Sequence, residues 1–240
     1  MTRRERGGHG RSLLGYRPCD DRAVREPDLP EFPADRPWVR AVMASTLDGV
    51  MRGPDGGSRS ISTPADQRWF SRLRRQPDAI LVGAQTIRSE DYRPSRTVVA
   101  IVTRSLDLPP TLRMFTERTD EHPRPIVLTS DDAALDPPPH LRDLTDVIGC
   151  GDGSVDLARA VDVIIERGLL RIQCEGGPRL LGDLVAADLV DELLLTLTPT
   201  LLGGGPGEHI LNIPGGLDRR GRIVRMQDDD GTVLLQVAMH

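Results

Sequence analysis

A single α/β domain, with a mixed, mostly parallel sheet flanked by helices, is the fold this sequence predicts. Three observations carry that expectation. Short apolar runs alternate with helical segments for most of the length. Several of those runs end in small or hydroxylated residues that lead into a helix. Two late strands flank the turn Asp228-Asp229-Asp230-Gly231 and add an antiparallel hairpin.

Taken in order, residues 1–37 read as an N-terminal arm. Its first dozen residues are polar and expected to be disordered, and 13–37 carry a few apolar anchors (Leu13, Leu14, Tyr16, Leu29, Phe32) among prolines. The domain proper is expected over 38–240. Trp38 to Ala44 alternates as a strand does and ends on Ser45-Thr46-Leu47-Asp48-Gly49. A glycine-rich loop, 53–57, follows. Thr63-Pro64 then opens a helix to Arg75, with threonine as the cap and proline at the first position. Ala79 to Val82 is a buried strand running into Gly83-Ala84-Gln85-Thr86 and a helix. Thr97 to Val102, Pro125 to Leu128 and Val147-Ile148 are three more strands, and Asp136-Pro137-Pro138-Pro139 reads as a loop. Leu157 to Arg167 is an amphipathic helix, Leu169 to Cys174 a buried strand and Leu180 to Ala187 a helix. Asp191 to Pro199 is a long apolar strand, with Gly203-Gly204-Gly205-Pro206-Gly207 shortly after it. The closing strands span 221–227 and 232–238.

Composition narrows the chemistry. The chain has 240 residues, 38% hydrophobic, enough for one sizeable core. Aromatics make up only 3%, so the core is aliphatic and base-stacking platforms are few. The net charge is −5 and the arginines are scattered, which argues against a nucleic-acid stripe. Every basic side chain other than histidine is arginine, which excludes a Schiff-base or phosphate-loop lysine. Cys19, Cys150 and Cys174 are far apart and the five histidines lack ligand spacing, so no metal site is expected. Without a long apolar run or a signal-like start, a cytoplasmic location is expected, with no membrane partner.

The stretch Gln173 to Leu181 concentrates the chemistry. A strand ends on the carboxylate of Glu175. Gly176 and Gly177 permit a sharp turn and a close ligand approach. Pro178 opens a helix whose free N–H groups suit a phosphate. In open α/β sheets ligands bind at such carboxyl strand ends. Three strand ends of this kind, at Gly83 to Thr86, Thr103 to Ser105 and Glu175 to Pro178, could together cradle a dinucleotide. Arg104, just beyond a strand, suits a ribose 2′-phosphate because a guanidinium binds phosphate through two parallel hydrogen bonds. Glu175 is the acid placed to deliver or orient a proton. Asp48 is a second candidate, although an Asp-Gly turn explains it as well.

In this order, Ala44 to Gly49, Ser58 to Ser62, Leu73-Arg74, Ala79 to Thr86, Glu175 to Pro178 and Asp191 to Leu193 resemble the reductase domain of the riboflavin-pathway deaminase/reductase family, whose stand-alone members are pyrimidine reductases. The resemblance implies a dihydrofolate-reductase-like fold, NADPH as cofactor and a homodimer. It also implies reduction of 5-amino-6-(5-phosphoribosylamino)uracil to its ribityl form. Its cofactor-contacting positions fall on Ala44, Ser60, Gly83, Thr86 and the loop Gly177, Pro178, Arg179, Leu180 and Leu181. Thr103, Arg104 and Gly176 join them from the strand-end reading. Substrate contacts fall on Ser58, Arg74 and Glu175, with Arg96 or Arg93 standing in for a displaced second arginine. Val50 replaces a usual lysine, and Ser60 a usual tryptophan. These departures lie in the substrate half. They leave open a dihydrofolate-type reductase and a nucleotide-binding module without turnover.

Overall fold

The computed structural model describes residues 28–203 and 209–239. The expectations for 1–27, including Cys19 and the disorder of the first residues, and those for 204–208, lie outside the described residues.

Nine strands form one sheet: β1 (Trp38–Thr46), β2 (Ala79–Gly83), β3 (Val98–Val102), β4 (Ile126–Thr129), β5 (Asp146–Gly149), β6 (Arg171–Cys174), β7 (Glu192–Thr198), β8 (Arg222–Asp229) and β9 (Thr232–Ala238). Their order across the sheet is β5-β4-β3-β2-β6-β1-β7-β9-β8. β1 to β7 run parallel; only the closing hairpin pairs antiparallel, β9 against both β7 and β8. The mixed sheet has the parallel body and antiparallel end that the alternation of strands and helices implied. β6 comes late in the chain but lies between β1 and β2, with Arg40 beside Gln173 and Leu81 beside Cys174. That insertion carries Glu175 to the middle of the sheet's carboxyl edge.

Helices cover both faces. α6 (Leu157–Ile165) and α7 (Pro178–Ala186) pack on one, where Ala41, Leu81, Ile172 and Cys174 meet Val161, Ile164, Leu181 and Leu184. α1 (Pro64–Leu73) and α2 (Ala84–Glu90) cover the other, with Trp69 and Leu73 on Val42 and Leu194, and Ile87 on Val82 and Ile101. Thr63 caps α1 by accepting from the Asp66 N–H at 3.2 Å, and Pro64 fills the first turn.

Three short helices escaped the sequence reading: α3 (Arg113–Thr116), α4 (Asp131–Leu135) and α5 (Pro139–Leu144). One turn is too short to show a helical period. Pro139, expected in a loop, instead starts α5, where its missing N–H costs nothing. The described part of the arm lies on the sheet. Leu29 enters the core beside Trp69, and Arg225 and Gln227 donate to Asp28.

Candidate active site

A cleft of about 710 Å³ opens where β1 and β6 end, walled by α1 and by the chain around α2. Glu175, Gly177, Ala44, Thr86, Ser58 and Arg74 line it, so residues from five separate sequence segments meet there. At its floor the Glu175 side chain is 2% exposed. Its Oε1 accepts from Arg74 Nε at 2.8 Å and from Gln173 Nε2 at 3.0 Å. Its Oε2 accepts from Tyr92 Oη at 2.6 Å and from Arg74 Nη2. A carboxylate offers about four acceptor positions, and all are filled. Glu175 is therefore built as a fixed anion that orients its neighbours.

Arg74 is the residue just past α1, where a helix dipole alone could have explained it. Its guanidinium instead turns to Glu175, with the rings of Phe70 and Tyr92 each 4.8 Å from it. Burial works against its charge, but hydrogen bonding to Glu175 and the carboxylate's field outweigh burial and raise its pKa. Burial first, and the Glu175 charge second, push the Tyr92 phenol well above its ordinary range, so it remains a neutral donor. Burial also pushes the thiol of Cys174, the last residue of β6, up to about 12, which leaves it inert.

Beside this cluster the peptide between Gly176 and Gly177 is cis and Gly176 has φ +82°. A Cβ on Gly176 would come 3.1 Å from the Met43 sulfur, and one on Gly177 would come 2.9 Å from Thr86 Oγ1. Only glycines let β6 turn here without losing the groove between β1 and α2. Gly83 N–H donates to Gly176 O at 2.9 Å and ties the turn to β2. α7 then starts at Pro178. Leu180 and Leu181 point into the core, so they can offer a ligand only their backbone, while Arg179 is exposed. Thr103 and Arg104 follow β3 at the same sheet edge. Thr103 is buried and accepts from Leu106 N–H, whereas Arg104 is exposed with no hydrogen bond or ion pair to a described residue.

Three expected site residues have other work. Asp48 is exposed and does not line the cleft. Its carboxylate accepts from the Thr46 hydroxyl, Gly203 N–H at 2.6 Å and Leu202 N–H at 3.1 Å, contacts that hold it below the usual carboxylate range. It ties the turn after β1 to the chain after β7. Ser60 donates to Asp55 at 2.6 Å, and its hydroxyl sits 1.9 Å from where a Cβ on Gly53 would be. Ser60 thus closes the 53–60 loop on itself. Arg96 is solvent-exposed beside Glu121 at 3.6 Å, outside the cleft. Pro94 turns the chain toward β3, and Arg93 is the arginine left lining the cleft.

Sequence reasoning missed Tyr92, Phe70, Arg52 and Arg59. Gln173 carried a signal, because it is a polar residue inside an apolar strand. Among the described residues no group of His, Cys, Asp or Glu could hold a metal ion, and no helix is long and apolar enough to cross a membrane.

Residues 37–234 match the model of the RibD C-terminal domain. The chain is 30% identical over 205 residues to a 2,5-diamino-6-ribosylamino-4(3H)-pyrimidinone 5′-phosphate reductase of Methanothermobacter thermautotrophicus, covering 80% of this chain and 91% of that protein. A protein of the same name from Archaeoglobus fulgidus is 28% identical over 189 residues, covering 70% of this chain and 83% of that one. Among solved structures, a pyrimidine reductase-like protein from Corynebacterium diphtheriae superposes with a TM-score of 0.69 at 22% identity. It covers 85% of this chain and 92% of that one, and shows the shared fold.

Proposed function

The chain belongs to the RibD C-terminal domain family, and on that premise we propose that it is an NADPH-dependent reductase of a phosphoribosylamino-pyrimidine. The reaction opens the ribosyl group to ribityl. The observation that carries this reading is the Arg74–Glu175–Tyr92 cluster, backed by the buried Gln173 and set directly beside the Gly176-Gly177 turn, in one cleft.

The residues present fit a nicotinamide dinucleotide. The Gly176-Gly177 turn lies so close to Met43 and Thr86 that a Cβ on either glycine would crowd them, which keeps its backbone at the cleft; α7 starts at its end, and Arg104 stands uncommitted one strand beyond β2. When bound, the reduced nicotinamide supplies the hydride. Ala44 and Thr86 would wall the dinucleotide, the first N–H groups of α7 would hold its phosphates, and Arg104 would take the 2′-phosphate. Ser58 meets the substrate on the opposite wall. Glu175 holds Arg74 and Tyr92 in place at the floor of the cleft, where the Tyr92 phenol stays neutral. Steady-state NADPH oxidation with the phosphoribosylamino-pyrimidine and, separately, with dihydrofolate tests the assignment. Turnover of the first supports it, and turnover of dihydrofolate alone replaces the substrate. NADPH binding without any turnover leaves a binding module.

A homodimer belongs to the same proposal. Leu193, Leu195 and Leu197 of β7 alternate with buried residues and remain half-exposed. β9 sets Val237, Leu235 and Val233 beside them, and Ile223 and Met226 of β8 extend the patch at 61% and 70% exposure. A contiguous apolar sheet face of this kind needs a partner. Sedimentation at micromolar concentration is expected to show a dimer, and Leu195→Glu a monomer. A monomeric parent protein overturns this part.

A further inference from the structure

Gln173 is a polar side chain inside an apolar strand, and it is fully buried, at 0% exposure. An amide taken out of water costs free energy unless its hydrogen bonds are replaced. Its Nε2 donates to Glu175 Oε1 at 3.0 Å. A carboxylate only accepts, so the nitrogen must be the end that meets it and the carbonyl oxygen the end turned away. Gln173 Oε1 has no hydrogen-bond partner among the described residues.

The neighbouring strand holds the complement. Arg40 of β1 stands in register with Gln173, so both side chains leave the same face of the sheet. Arg40 is also 0% exposed. Its Nε is committed to Glu192 and its Nη1 to Gln76, while its Nη2 has no partner among the described residues. A spare buried donor and a spare buried acceptor thus sit on paired positions. On the β2 side the register partner of Gln173 is Ile80, which brings no polar side chain. The charged and titratable groups around the amide are therefore Arg40 with Glu192 at one end, and Glu175 with Arg74 and Tyr92 at the other. An amide between a cation and an anion has one favourable direction, oxygen to the cation and N–H to the anion, and each contact polarises the other.

The other donors to Glu175 stand in the cleft. Arg74 is partly exposed and lines it with Tyr92, on the side where a ligand enters. Gln173 reaches the same carboxylate from the buried side.

We propose that Gln173 is a positioning residue for Glu175. Its amide oxygen turns to the Arg40 guanidinium and its N–H to the Glu175 carboxylate, which it fixes from beneath while Arg74 and Tyr92 face the ligand. The effect on turnover rests on the reductase reading; the hydrogen bonding does not.

Gln173→Leu nearly keeps the volume and removes both polar ends. Its kcat is expected to fall about ten- to hundredfold, the worth of one hydrogen bond to a charged group, with KM for NADPH unchanged. Gln173→Glu gives the sharper readout, because the new carboxyl replaces the amide donor only while it carries a proton. Once ionised it faces a like charge. Activity of this variant should approach that of the parent protein at acid pH and decline as pH rises, along a limb that the parent lacks. A side chain that merely fills space produces no such limb. NMR supplies a measurement free of turnover. The Gln173 side-chain amide, identified by its loss in either variant, should be protected from hydrogen exchange in the parent, and its shift should move in Glu175→Gln. A kcat unaffected by Gln173→Leu, with no new limb in Gln173→Glu, overturns the positioning role and leaves the reductase reading standing. An amide that exchanges freely and ignores Glu175→Gln overturns it as well. If the parent oxidises no NADPH with any substrate, the reductase reading falls, and the amide signal alone decides whether Gln173 holds Glu175. Should Gln173→Leu fail to fold, the Gln173→Glu profile and the amide signal still decide.

Discussion

Two arginine–glutamate pairs lie on the α1 face of the sheet, and they differ in what surrounds them. Arg40 Nε donates to Glu192 at 2.6 Å with the two side chains 0% and 4% exposed. Gln76, Trp38 and Gln236 add hydrogen bonds, Arg40 Nη2 stays buried without a partner among the described residues, and the Phe32 ring covers the guanidinium at 3.8 Å. Arg74 and Glu175 make a similar pair, but Arg74 is 35% exposed and faces the cleft. Burial lowers the Arg40 pKa despite Glu192, whereas Glu175 overcomes burial and raises that of Arg74. A pair sealed on every side holds strands together. The same pair with one flank open, at the carboxyl end of a central strand, is available to chemistry.

That contrast breaks first at Glu175. Glu175→Gln keeps the shape but removes the charge that holds Arg74 and Tyr92. Turnover is expected to fall about 10²–10⁴-fold with NADPH binding retained. Stability should drop only about 1–3 kcal/mol, because the exposed side of Arg74 is screened. Activity within a few-fold of the parent protein would reduce this pair to a structural one.

Glu192→Gln is the mirror experiment. Denaturant unfolding should show a loss of about 3–5 kcal/mol, the usual result of stranding a buried charge, with kcat/KM within a few-fold. A variant that unfolds normally but turns over poorly would erase the distinction between the pairs.

A smaller effect is expected at Arg104, which makes no ion pair to a described residue. Arg104→Ala should raise the NADPH dissociation constant about ten- to hundredfold and leave NADH nearly unchanged. Equal weakening of both would move the 2′-phosphate elsewhere.

The finest test is pH. Tyr92 has a folded pKa raised above its unfolded value, so its contribution to stability is complete below pH about 10 and is lost as pH rises through the folded pKa. Tyr92→Phe should flatten that alkaline decline, and stability measured at pH 8 and 11 should show it. An unchanged slope would mean that Tyr92 is not the group titrating above Glu175.

Much of the architecture was legible because its signals are local. Thr63-Pro64 announces α1, and each apolar run from Ala79 to Cys174 became a strand. Glu175-Gly176-Gly177-Pro178 announced the turn into α7 through residue types whose backbone roles are narrow. Arg96 and Ser60 were misplaced for the complementary reason. Pro94 and the 53–60 loop set directions that a linear spacing does not contain, and Arg93 rather than Arg96 reached the cleft.

What the sequence determined by itself was therefore the inventory: a parallel α/β sheet with an antiparallel end, a glycine turn beside an acid, and family membership through ordered short motifs. Periodicity, capping and glycine chemistry act over a few residues and can be read from them. What only the tertiary structure decided was pairing. β6 had to insert between β1 and β2 before Glu175 could meet Arg74, 101 positions away, and Tyr92, 83 positions away. Strand order likewise put Glu192, 152 positions along the chain, against Arg40. Which arginine is sealed, which is shared and which is free for a ligand depends on long-range contacts and burial, quantities that exist only once the sheet has closed.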